Sequence, residues 1–168
     1  MKYYIGIDLG GTNIVAGVVN ENYELLAKAH NKTNVGRPAE QIALTMAQTA
    51  QQAVQNAGLQ MEQISLVGIG TPGIVDPVTK EVVCASNLNF SHVPLCRLVE
   101  EHLNRPVFIA NDADAAAYGE FMAGAGKSEA ICWQLPSEPE SDPVLSSTLK
   151  FTTVTVMPVG NSVTLSSM

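Results

Sequence analysis

Asp8-Leu9-Gly10-Gly11-Thr12 is the stretch of this chain whose residue types best suit a phosphate. The glycine pair forces a tight turn and lets an anion approach the backbone. The N–H groups of the turn and the Thr12 hydroxyl can then donate hydrogen bonds. Asp8 offers the oxygen ligand that Mg²⁺ prefers, held in part through water, because that ion gives up its waters reluctantly. The plainer alternative is a hairpin with a glycine turn. A second candidate is Asn111-Asp112, set between the apolar run 107–110 and an alanine-rich segment. Either residue can simply cap a helix. Asp112 can also accept a proton from a hydroxyl that attacks a phosphoryl group, a step that needs one carboxylate within reach. A third is Asn87 in Ser86-Asn87-Leu88-Asn89-Phe90. A loop asparagine forms turns, and its amide equally serves ligand hydroxyls as donor and acceptor.

The elements around these residues follow from pattern. Tyr4–Leu9 and Asn13–Val19 are apolar and rich in β-branched residues, and they read as two strands around the glycine turn. Because a strand, not a helix, follows, the turn differs from phosphate cradles built on a helix N-terminus. Tyr23–Ala29 reads as a third strand of an antiparallel meander. Ala39–Ala57 repeats apolar residues every three or four positions, an amphipathic helix entered at Pro38 and stopped by Gly58. Ile64–Ile69 reads as a buried strand. Gly68-Ile69-Gly70-Thr71-Pro72-Gly73 contains G-x-G-x-x-G, but Pro72, Ile74-Val75 and Asp76-Pro77 oppose the helix that a dinucleotide fingerprint must open. A turn at Pro72-Gly73 and an extended segment are expected instead. Val82–Ala85 reads as a short strand, residues 86–90 as a polar loop, Pro94–Leu103 as a helix and Val107–Ala110 as a buried strand. Ala113–Met122 reads as a helix, with Ala115-Ala116-Ala117 as strong formers. Asp112 thus stands at a strand end, where open α/β sheets bind ligands. Gly124-Ala125-Gly126-Lys127-Ser128 imitates the end of a P-loop. However, the first glycine of that motif would fall on Phe121, and the segment ends a helix where a P-loop precedes one.

The chain has 168 residues, 46% of them hydrophobic and 15% charged, enough for one domain with a real core. A net charge of −7 opposes a nucleic-acid surface and an anionic membrane surface. Neither a signal peptide nor a membrane-spanning run is evident, so a cytoplasmic location is expected. Cys84, Cys96 and Cys132 are far apart and odd in number, which signals neither a zinc site nor a disulfide framework; buried thiols are expected. His30, His92 and His102 are scattered and read as structural or surface residues.

Asp8-Leu9-Gly10-Gly11-Thr12-Asn13 resembles the first phosphate loop of the sugar-kinase, actin and heat-shock-chaperone superfamily, and within it most of all the ROK family of sugar kinases and repressors. Gly70-Thr71-Pro72-Gly73-Ile74-Val75-Asp76 resembles the ROK Gly-x-Pro-Gly-x-Val-Asp segment. Ser86–Phe90 resembles its Ser-Asn-Leu-x-Trp loop, with Phe90 in place of Trp. Ile109–Glu120 resembles its catalytic segment almost throughout. The resemblance implies an α/β, RNase H-like (actin-like ATPase and sugar kinase) domain with a mixed sheet over residues 1–127. It implies ATP and Mg²⁺ as cofactors, with Asp8, Gly10, Gly11 and Thr12 at the phosphates and metal. It also implies a hexose partner held by Gly73, Asn87, Asn111 and Asp112, with Asp112 as the base. Glucose is the expected hexose, phosphorylated to glucose 6-phosphate at the head of glycolysis. N-acetylmannosamine, fructose and N-acetylglucosamine kinases share the same half-site. ROK kinases are often homodimers.

After Ser128 the resemblance ends. The second glycine-rich phosphate loop, the Glu and His of the sugar site, the Cys/His zinc motif and the adenosine site of ROK kinases have no counterpart. Residues 128–168 carry Pro136, Pro139, Pro143 and Pro158 and many Ser and Thr. The first half of this tail reads as irregular, and Lys150–Val159 as β-prone. A truncated or frame-shifted kinase with little activity of its own is the expectation. A non-catalytic sugar-binding or regulatory module is the alternative, and an ATP-binding relative of actin a third.

Overall fold

Ile5, Ile7 and Leu9 alternate with Gly6 and Asp8, so one face of the first strand is apolar and the other is not. The computed structural model describes residues 1–123 and two short strands further on. The described chain forms β1 (Tyr3–Leu9), β2 (Asn13–Asn20), β3 (Leu25–Lys32), α1 (Ala39–Asn56), β4 (Ile64–Thr71), β5 (Ile74–Asp76), β6 (Glu81–Ala85), β7 (Phe90–Val93), α2 (Leu95–Leu103), β8 (Val107–Asn111) and α3 (Asp112–Ala123). β9 (Trp133–Pro136) and β10 (Phe151–Val154) complete it. Residues Met1–Gly119 form one compact unit and Glu120–Met168 a second.

In the first unit a five-stranded sheet runs in the order β3-β2-β1-β4-β8. The first three strands pair antiparallel as a meander, while β4 and β8 add in parallel. The sheet is mixed, as expected. A second sheet, β5-β6-β7, is antiparallel. Ile5, Ile7, Ile14, Ala16, Val67, Ile69, Val107 and Ile109 are buried in one core with Ile42, Met46, Ala50 and Val54 of α1 and Leu95 and Val99 of α2. On the other face of the five-stranded sheet Gly6, Asp8, Lys28 and Phe108 are exposed. The register aligns Lys28, Gly17, Gly6, Gly68 and Phe108 in one row across it. A groove of about 1130 Å³ lies over this row, and α3 contributes Asp112 through Ala116 and Tyr118 to its wall.

Several boundaries depart from expectation. Strand β3 begins at Leu25 rather than Tyr23. Asn20 Oδ1 accepts the N–H groups of Asn22 and Glu24, and Tyr23 adopts a φ of 65°, so the turn extends further than its sequence suggests. Pro38 caps α1 from outside rather than opening it, and Gly58, with a φ of 69°, ends it as expected. Residues 86–90 are not wholly loop: a single 3₁₀ turn, Ser86–Leu88, leads into β7, and Phe90 is buried. Cys96 is buried, which pushes its thiol up to about 11, but Cys84 is exposed. Its cross-strand neighbours Ile74 and Ser91 are exposed too, so among the described residues nothing packs over this stretch of β6. His30, His92 and His102 are all exposed. In the second unit β9 and β10 pair antiparallel; the β9 strand falls in a stretch expected to be irregular, and β10 within the β-prone segment. Gly124–Ser128 lies outside the described residues, as does most of 128–168.

One polar junction ties the two sheets together. Glu100 of α2 accepts the Val107 N–H at 2.9 Å and pairs with Lys80 at 3.1 Å, while Lys80 also stands 4.9 Å from the centre of the Phe108 ring. Burial works to raise the Glu100 carboxyl, but the Val107 N–H and Lys80 outweigh it and hold it below the usual value. A carboxylate lowered on folding stabilises the fold above its ordinary pKa, and that contribution is lost as pH falls through the folded-state value. Glu100→Gln is therefore expected to lower stability at pH 7 and to leave less to lose between pH 5 and 3, measured by urea unfolding across that range. Equal acid sensitivity in both proteins would count against this junction.

Candidate functional site

Parallel pairing sets the ends of β1, β4 and β8 on one edge of the sheet. Asp8 stands beside Gly70, and Gly70 beside Ala110; Thr71 stands beside Asn111. The carboxyl ends of such strands border the crevice in which open α/β sheets hold ligands. The four motifs singled out in the sequence lie at or next to this edge.

The turn after β1 is closed by Gly10 N–H donating to the Asn13 carbonyl at 3.0 Å. That N–H is therefore used inside the turn, and the phosphate donors expected there reduce to the Gly11 and Thr12 N–H groups and the Thr12 hydroxyl. Lys32 Nζ donates to Asn13 Oδ1 at 2.8 Å from the neighbouring strand. Asp8 and Thr12 are exposed, so their oxygens are open to a ligand. No group of three or more His, Cys, Asp or Glu side chains able to hold a metal occurs among the described residues. An Mg²⁺ at this turn would accordingly be held by Asp8 through water and would draw its shell from water and phosphate, a combination that ion commonly adopts.

The Pro72-Gly73 turn follows β4, as expected. Gly73 has a φ of 94°, and a Cβ there would collide with the Cys84 carbonyl and Ala85, so only glycine fits. The turn is held in place from β8. Asn111 Nδ2 donates to the Gly73 carbonyl at 2.9 Å, and Asn111 Oδ1 accepts the Ala113 N–H at 2.9 Å. Asn111 is thus both the cap of α3 and the tie to the second motif. Asp112 Oδ1 accepts the same N–H at 2.8 Å, and the residue is exposed. A Cβ on Gly70 would meet Asp112 Cα and Ala115 Cβ at 3.6 Å, which shows how closely the start of α3 lies on β4.

Asn87 is exposed on its 3₁₀ turn, anchored by the buried Leu88 and Phe90. A Cβ built on Gly11 would lie 3.7 Å from the Asn87 carbonyl oxygen and 3.9 Å from Nδ2. The third motif therefore borders the first. Asp76, the last residue of the second motif, is a turn former: its carboxylate accepts the Val78 and Thr79 N–H groups, which hold it below the usual carboxylate range. Sequence reasoning missed Thr33. This residue is fully buried, and its hydroxyl donates to the Gly10 carbonyl at 2.6 Å. No local signal marks it, because its partner lies a whole hairpin away.

Comparison with known proteins bears on the family and the fold. Residues 4–134 match the ROK family. A glucokinase of Streptomyces coelicolor is 38% identical over 127 residues, covering 76% of this chain and 38% of that protein. A xylose repressor of Caldicellulosiruptor bescii is 33% identical over 120 residues, covering 71% and 30%. The crystal structure of a ROK family glucokinase from Streptomyces griseus, in complex with glucose and AMPPNP, superposes with a TM-score of 0.67 at 37% identity, covering 75% of this chain and 38% of that one. The fold is the RNase H-like, actin-like ATPase fold shared by ROK sugar kinases. The chain belongs to the ROK family. It spans under half the length of these relatives.

The Gly73–Asn111 tie predicts two substitution effects. Gly73→Ala is expected to destabilise the chain by about 1–3 kcal/mol through backbone strain. Asn111→Ala leaves the Gly73 carbonyl without its partner, while the Ala113 N–H keeps Asp112, and is expected to cost about 1–3 kcal/mol. Thermal unfolding of both variants checks this; unchanged midpoints would show that the turn and helix stand without the tie.

Proposed function

We propose that residues 1–123 build the sugar-holding, base-bearing part of an ATP-dependent hexose kinase site, with glucose as the first substrate to test. Asp112 is the general base. Asn87 and Asn111 hydrogen-bond the hexose hydroxyls, and the Gly73 turn lines the pocket beside them. Gly11 and Thr12 donate to the nucleotide phosphates on a turn shaped by Gly10, and Asp8 would hold Mg²⁺ through water. A bound Mg²⁺ would supply charge neutralisation at the phosphates. The observation that carries the reading is the meeting of four motifs, distant in sequence, at one edge of a parallel strand set: Asp8 beside Gly70, Asn111 bonded to Gly73, and Gly11 bordering Asn87.

The chemistry needs little from the protein beyond position and charge. A hexose hydroxyl attacks the γ-phosphorus of ATP. The new O–P bond forms as the bond to the ADP oxygen breaks, and the hydroxyl proton passes to the Asp112 carboxylate. The exposed position of Asp112 leaves it open to substrate, while the hydrogen bond to Ala113 fixes its rotamer at the start of α3. Glycines at 70 and 73 keep the floor beside it free of side chains.

A second reading, a sugar-responsive module without turnover, is favoured by the likeness to the xylose repressor of C. bescii. Both readings expect hexose binding, and nucleotide separates them. Glucose at about 100 times its dissociation constant is expected to stabilise the chain by about 2.7 kcal/mol, read as a rise in Tm. Asn87→Ala and Asn111→Ala are expected to remove that rise. The 168-residue chain is expected to release little ADP, because phosphoryl transfer requires a closed, water-poor site. Mg·ATP that perturbs Gly11 and Thr12 supports the kinase reading. Glucose binding with no response to Mg·ATP supports the module, and no response to any hexose ends both.

A further inference from the structure

We infer that Thr33 is a positioning residue for the phosphate turn, holding Gly10 through Thr12 in the shape that presents Gly11 and Thr12 to a polyphosphate. This inference rests on the phosphate-binding reading of that turn. The register of the meander creates the contact. Asn13 pairs with Lys32 at the last rung of the β2–β3 ladder, so the next residue of each strand, Thr12 and Thr33, is brought alongside the other. Thr33 N–H donates to the Thr12 carbonyl at 3.0 Å, and Thr33 Oγ1 donates to the Gly10 carbonyl at 2.6 Å. One residue thus engages the carbonyls on both sides of Gly11. Gly11 and its neighbour Gly10 have no side chain of their own to resist rotation, and a double glycine loses much conformational entropy when ordered. An outside anchor on each flanking carbonyl removes that freedom before a ligand arrives, which is how preorganisation raises affinity.

Thr33 is itself fixed. It is 0% exposed, so its hydroxyl is screened from competing water. Its own carbonyl accepts Arg37 Nη2 at 2.6 Å, and Arg37 Nε reaches the Asn34 carbonyl at 3.3 Å. Asn34 and Gly36 both have positive φ, so the loop curls back and returns the guanidinium to Thr33. The arrangement is a relay of three links: guanidinium to Thr33, Thr33 to the two turn carbonyls, and the turn to its ligand.

The test uses the ¹⁵N-labelled 168-residue chain and inorganic tripolyphosphate as the probe. Two readouts are taken, amide hydrogen exchange at Gly10 without ligand and the tripolyphosphate titration of the Gly11 and Thr12 amide signals. Thr33→Val keeps the shape and deletes the hydroxyl. It is expected to speed Gly10 exchange about tenfold and weaken tripolyphosphate binding about tenfold, the effect of one lost hydrogen bond with a stranded carbonyl. Thr33→Ser restores the hydroxyl and is expected to recover both. Arg37→Ala removes the anchor behind Thr33 from an accessible position and is expected to move both readouts in the same direction, which keeps the test open if Thr33→Val does not fold. Unchanged Gly10 exchange and binding in a folded Thr33→Val would overturn the inference while leaving the phosphate reading intact. A wild-type chain whose Gly11 and Thr12 signals ignore tripolyphosphate would overturn that reading, and this role for Thr33 with it.

Discussion

The Asn111 side-chain amide commits its two ends to backbone, Nδ2 to the Gly73 carbonyl and Oδ1 to the Ala113 N–H. One end holds the turn that leaves β4, and the other starts the helix that leaves β8. Parallel strands bring those two ends close but do not join them, because a parallel ladder stops with its last residue. The amide completes the joint. A longer side chain would overshoot it, and aspartate could accept from Ala113 but could not donate to Gly73. Asp112 takes its position as the residue that follows. A nine-residue helix and a five-residue strand, α2 and β8, thus deliver a carboxylate to a fixed place without burying it.

Glycine has a second role on this edge. Gly73 is required by its backbone angle, since any Cβ would run into Cys84 and Ala85. Gly70 is different: a Cβ there would make only ordinary contact with Asp112 and Ala115, so this glycine answers no torsional demand and simply leaves β4 without a side chain beside α3. The same residue type therefore meets a torsional demand at one position and leaves open surface three residues earlier.

Features written in local chemistry were legible in the sequence. The β1–turn–β2 unit, the Pro72-Gly73 turn, the stop at Gly58 and the strand-to-helix passage at Asn111-Asp112 each depend on residues within a few positions of one another. The contacts that join them were not. Thr33 and Gly10, or Asn111 and Gly73, meet only after the sheet has formed, and nothing local to either residue names its partner. β7 escaped notice because Ser91 and His92 are polar and exposed, so its pattern carries one buried residue, Phe90, and no alternation. Cys84 was expected inside because free cysteines generally are. It lies outside because no described residue packs over this stretch of the small sheet, a property of the packing that no local pattern records.

The order of strands also implies an order of assembly. β1, β2 and β3 are joined by short turns and pair with their sequence neighbours, so the meander closes through local contacts alone. β1 acquires its other partner, β4, only after α1 has been made, and β8 must wait for β4. Local pairings form early and distant ones late, because loop-closure entropy is met before the distant contact rewards it. The Thr33 brace belongs to the early part and the Asn111 tie to the last. On the growing chain, the Gly10-Gly11 turn is therefore shaped well before the Asp112 carboxylate has a place to stand.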